Sequence, residues 1–89
     1  MRVNGQMIHR EIAGEHILIP VGETALKVHG MITLTESGLL IWNKLQQECS
    51  LEELMDAIRS EYDIDRETAL ADIQMFLEKL DKLGVLERE

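Results

Sequence analysis

Three histidines, one cysteine and three serines carry whatever reactive chemistry this chain could have. His9, His16 and His29 would be the imidazole ligands of a metal ion, with Glu11 or Glu15 adding a carboxylate. Their spacing argues against it: a strand aligns residues two apart, whereas these lie seven and thirteen apart on different segments. The ordinary reading is that they occupy the polar face of a half-exposed sheet. Cys49 stands alone, so it has no disulfide partner and no second thiolate for a metal. Ser37, Ser50 and Ser60 have no His–Asp company, and a hydroxyl without an activating base is a poor nucleophile. The six glycines are scattered one to a turn, which excludes a phosphate-cradling loop. No two carboxylates share an apolar stretch that would hold one of them protonated as a general acid. The chain is therefore read as a non-enzyme with no metal and no cofactor of its own.

Binding chemistry is what remains, and charge restricts it. Residues 1–44 carry four basic and four acidic groups, whereas residues 45–89 carry five basic and thirteen acidic ones. The whole formal charge of −8 thus sits in the second half. Such a field repels a phosphate backbone and attracts a basic patch on a partner, besides keeping the surface solvated. At 89 residues the chain is expected to form one small, marginally stable domain, 1–89. No apolar run approaches the ~20 residues that cross a bilayer. Residues 1–6 show no signal-peptide core, so the cytoplasm is the expected compartment.

The elements that must position a binding surface read as follows. Residues 7–12 place Ile8 and Ile12 on one strand face with polar residues between them. A turn at 13–15 leads into 16–20, rich in β-branched side chains. After a second turn at 21–23, residues 25–28 and 31–34 flank His29-Gly30. They form either a tight hairpin or one longer strand with a bulge at Gly30. The remainder is helical over about 36–47, 51–61 and 66–83. Thr35 can cap the first helix, whose buried stripe is Gly38, Ile41, Trp42 and Leu45. Ser50 and Glu53 make a capping box for the second, and Leu51, Leu54, Met55 and Ile58 form its apolar face. Asp65 caps the third, and Gly84 stops it. Ala69, Leu70, Ile73, Phe76, Leu77, Leu80 and Leu83 give that last helix an unusually wide apolar stripe. Val85 and Leu86 are expected to dock as a short tail. The fold class is α+β: an antiparallel meander of three or four strands over 7–34, then three helices, in a winged-helix-like order.

A meander leaves an edge of unpaired backbone groups, and such an edge either carries devices against aggregation or serves for docking. Met31, Ile32, Thr33 and Leu34 have no charge and no proline. If they form the edge, an extended peptide can continue the sheet there. The third helix has more apolar positions than one contact face needs, so some of Ile73, Phe76, Leu77 and Leu80 are candidates for a groove wall beside that edge. The competing assignment is that all four are core. Replacing Ile32 by Pro separates two geometries: an outward N–H would make the change a binding defect, an inward one a folding defect.

The ordered combination of these segments resembles the PqqD-like family. Residues 10–20 are similar to the family's first hairpin, and 30–38 to its strand-into-helix signature, followed by Ile41-Trp42. Thr35 stands where the family usually has Asn; both cap. Leu51, Glu52, Glu53 and Leu54, through Tyr62, Asp63, Ile64 and Asp65, resemble its second helix and the following turn. Residues 76–80 and 83–86 resemble its closing helix. The stretch 21–29 is longer than in members of the quinone-cofactor pathway. In this it looks closer to versions associated with radical enzymes that crosslink cysteine-rich peptides. The resemblance covers roughly residues 8–87. It implies a RiPP recognition element: a non-catalytic, cofactor-free module that binds the leader of a ribosomally made precursor peptide. The leader would add an antiparallel strand beside the third strand and lie against the third helix, presented to a radical S-adenosylmethionine enzyme. The positions so implied are Met31 to Leu34 and Ile73, Phe76, Leu77 and Leu80.

Two rival functions fit the same elements. A winged-helix DNA-binding regulator fits the helix order. It conflicts with the acidic last helix, which sets Asp65, Glu67, Asp72, Glu78 and Asp81 against Arg66, Lys79 and Lys82. An adaptor without a peptide substrate would use the same edge, as a monomer or a weak dimer. Neither nucleic acid nor membrane is an expected partner.

Overall fold

The computed structural model describes residues 1–88. Its sheet starts from a two-residue turn, Ala13-Gly14, in which both residues have positive φ, 52° and 81°. That turn has the twist of the strands it joins, and glycine at its second position takes the conformation without a Cβ penalty. It pairs β2 (Met7–Ile12) with β3 (Glu15–Pro20), Ile12 opposite Glu15 and Ile8 opposite Ile19. We count Arg2–Val3 as β1. β3 pairs on its other side with β4 (Ile32–Leu34), so the order is β2-β3-β4, all antiparallel. Ile8, Ile12 and Thr33 lie on the face turned away from the helices, while Leu18, Ile32 and Leu34 are buried on the other.

Residues 25–28 correct the expected meander. They form no strand; Thr24–Lys27 is a single helical turn, α1. Ala25 and Leu26 donate to the carbonyls of Gly22 and Glu23, and the Val28 N–H donates to Thr24. The local reason is composition: Ala, Leu and Lys favour helix over strand. The Thr24 hydroxyl also accepts from the Gln6 N–H at 2.7 Å, tying the turn to the chain before β2. The sheet therefore has three strands, and neither the hairpin at His29-Gly30 nor the bulge at Gly30 forms.

Three longer helices follow, α2 (Glu36–Lys44), α3 (Leu51–Glu61) and α4 (Arg66–Leu83). The Thr35 hydroxyl accepts from the Gly38 N–H, and the Asp65 carboxylate from that of Thr68. At α3 both halves of the capping box are present, at 3.0 and 3.1 Å. Accepting from the Ser50 backbone N–H and hydroxyl holds the Glu53 carboxyl below its ordinary range. Replacing Ser50 by Ala is expected to cost about 1 kcal/mol and lower Tm by about 4–8 °C in thermal melts followed by circular dichroism. Gly84, at φ 73°, ends α4.

Leu18, Leu45, Leu54, Ala69 and Ile73 have no exposed surface and form the centre where sheet and helices meet. Val85 and Leu86 dock as expected, but in a way the pattern does not reveal. Leu86–Glu87 is a two-residue strand, β5, paired antiparallel with β1. Two residues are too few for any periodicity to register. No helix among the described residues is long and apolar enough to cross a membrane.

Candidate functional site

The open margin of β4 can be resolved residue by residue. In a two-residue hairpin the closing pair, here Ile12 and Glu15, exchanges both backbone hydrogen bonds, and such pairs then alternate. Ile8–Ile19 is thus a bonded pair. The Val21 N–H continues the alternation by donating to the Gln6 carbonyl at 3.0 Å. In β3, then, Glu15, Ile17 and Ile19 turn their backbone groups toward β2, and His16 and Leu18 turn theirs toward β4. Their partners across that ladder are Leu34 and Ile32. Thr33, opposite Ile17, is left with its N–H and C=O pointing out of the sheet. Nothing in the sheet lies beyond β4. Of the four positions marked for the edge, Thr33 therefore presents the backbone, and Ile32 and Leu34 face inward. Met31 precedes the strand and is 65% exposed.

Beside this margin runs a groove of about 390 Å³. Thr33, Leu34 and Thr35 border it on the sheet side, and Asp72, Met75, Phe76 and Lys79 on the α4 side. Gly38 and Ile41 also line it. A Cβ at Gly38 would sit 3.3 Å from the Thr35 hydroxyl and 3.5 Å from the Phe76 ring, a tight contact on the groove floor.

The α4 wall differs from the expected one. Ile73, Leu77 and Leu80 are 0, 3 and 1% exposed and belong to the core. They do not line the groove; only the half-buried Phe76 of the four does. The wide stripe splits in two. Ala69, Ile73, Leu77 and Leu80 point inward, while positions 72, 75, 76 and 79 repeat at helical spacing around the groove side. The sequence did carry that second stripe, but two of its members are charged, and an apolar search passes over them.

The histidines come together only in part. His9 Nε2 lies 3.0 Å from His16 Nδ1, with Glu11 Oε1 3.7 Å from the same nitrogen. One imidazole donates to the other across the β2–β3 ladder, and His29 takes no part. No group of three or more metal-ligating side chains assembles among the described residues. Cys49 is buried, and burial pushes its thiol pKa up, away from the reactive thiolate. A second depression, about 670 Å³, is lined largely by polar groups and glycines such as Gly5, Gly22 and Gly84. It offers no strand margin.

A three-stranded sheet open at β4, with an apolar groove between that strand and the longest helix, defines the chain as an α+β protein built around a free strand edge. It belongs to the PqqD family: the family described as Coenzyme PQQ synthesis protein D matches residues 15–86. Among solved structures it is similar to TbiB1 in complex with the TbiA(beta) leader peptide, at 29% identity and a TM-score of 0.75. The match covers 100% of this chain and 98% of that one. Comparison with curated proteins gives no significant match.

Proposed function

We propose that this protein is a non-catalytic peptide chaperone. It binds the leader of a ribosomally made precursor peptide as an added strand on β4 and presents it to a modifying enzyme of the radical S-adenosylmethionine class. The observation that carries the reading is the outward N–H and C=O of Thr33 beside the Phe76 groove. Backbone pairing supplies affinity that tolerates sequence, and a side chain dropped between Leu34 and Phe76 supplies selectivity. Membership of the PqqD family supports it, as does likeness to a protein solved with a leader peptide. The acidic second half of the chain disfavours nucleic acid as the alternative ligand.

The test is a titration of the labelled protein with the leader half of a candidate precursor peptide, followed by amide shifts. Thr33, Gly38 and Phe76 are expected to shift most, with His29 and residues of α3 far less affected. Tight binding that leaves Thr33 and Phe76 unmoved would rule the site out. Mixing the two with a radical S-adenosylmethionine enzyme that modifies the peptide is expected to yield a ternary complex by size-exclusion chromatography.

A further inference from the structure

The groove carries two opposite charges from α4, Asp72 and Lys79. Asp72 and Lys79 are seven residues apart on α4, hence about 10 Å along its axis, with Phe76 between them. Asp72 also borders a neighbouring hollow of about 290 Å³ shared with Thr35, Glu36 and Ser37, so it marks the end of the groove where β4 passes into α2. That end carries a second carboxylate, Glu36. Lys79, one turn beyond Phe76, lines the groove but not that hollow, so the two charges are separated along it. Neither Asp72 nor Lys79 is in an ion pair among the described residues. Both are exposed and available to a ligand.

From this we infer that the groove selects its peptide by charge order as well as by an apolar anchor. The inference rests on the strand-addition reading and deepens it. A strand running antiparallel to β4 enters at the Thr35 end and leaves past Ile32. The residue that pairs with Thr33 turns its side chain to the outer face, and its two neighbours turn theirs toward α4. The apolar anchor is the neighbour opposite Leu34, above Gly38 and Phe76. Two residues earlier the peptide passes Asp72 and Glu36 and takes a basic side chain. Two residues later it passes Lys79 and takes an acidic one. Four strand steps span about 13 Å, which side-chain reach reconciles with the 10 Å between the helix charges. The ligand class is therefore an extended segment of the form basic–x–apolar–x–acidic, read from its N-terminus. A reversed order, or a parallel strand, places like charges together at both ends.

Two synthetic peptides of identical composition test this. Both have the same polar flanks; one has the core Lys-Thr-Leu-Thr-Glu, the other Glu-Thr-Leu-Thr-Lys. Affinities come from titrations that follow the Thr33 and Phe76 amides. The Lys-first peptide is expected to bind about tenfold tighter at low salt, with the preference shrinking in 0.5 M NaCl. In the protein with Asp72→Lys and Lys79→Asp the preference is expected to reverse, its melting temperature serving as the check on folding. Equal affinities for the two peptides, with Thr33 shifting in both, would overturn the charge-order inference and leave strand addition standing. Failure of both peptides to perturb Thr33 would overturn the two together.

Discussion

Thr33→Pro is expected to weaken peptide binding by tenfold or more while the protein stays folded, and Ile32→Pro, one residue earlier, to destabilise the fold itself. The contrast follows from which way each backbone points. At Thr33 the N–H faces out of the sheet, so proline removes no bond of the fold. Edge positions tolerate proline for this reason. The residue before a proline is restricted to extended backbone, which Ile32 already adopts in β4. The added peptide, however, loses its donor, worth about 1 kcal/mol net, and meets a ring where a second strand should approach. At Ile32 the N–H belongs to the ladder with Leu18, and the side chain is buried. Losing both costs about 3 kcal/mol or more, a Tm drop of about 15 °C in a chain of this size. Thermal melts and peptide titration of the two variants check it. Equal loss of stability in both would mean that the register of β4, and with it the outward Thr33, is wrong.

The sequence made the strand-then-helix order legible because its signals are local. Ala13-Gly14, Thr35, Ser50 with Glu53, and Asp65 each satisfy backbone groups within a few residues of themselves. What stayed hidden depends on partners far along the chain. The β1–β5 pair joins residues 2–3 to 86–87, and neither segment has a pattern of its own. Residues 25–28 are misleading in the opposite way. Three of the four are apolar, yet Leu26 is 78% exposed, because the segment coils as a helical turn outside the sheet. The edge was readable as an uncharged run, but not its phase. Which of Ile32, Thr33 and Leu34 faces out is fixed by the β2–β3 hairpin, a dozen residues upstream.

The groove wall exposes the same limit in a form that can be measured. Apolar periodicity puts Ile73 and Phe76 on one stripe, and their substitution would then have similar consequences. The structure separates them. Ile73 has no exposed surface, so Ile73→Ala leaves a cavity among sheet and helices and is expected to cost about 2–5 kcal/mol. Phe76 is half-buried and borders the groove above Gly38. Part of its ring already meets solvent, so Phe76→Ala is expected to cost the fold only about 1 kcal/mol. Its effect belongs on the ligand. An aromatic side chain at the centre of a small interface is the kind of contact whose truncation costs about 2 kcal/mol or more of binding, roughly thirtyfold in Kd. Leader affinity measured below the melting temperature of each variant should thus fall strongly for Phe76→Ala. For Ile73→Ala it should change only as far as the fold loosens. If Ile73→Ala, still folded at low temperature, loses as much affinity as Phe76→Ala, the ligand reaches deeper between β4 and α4 than this groove allows, and the core and the binding wall are one surface after all.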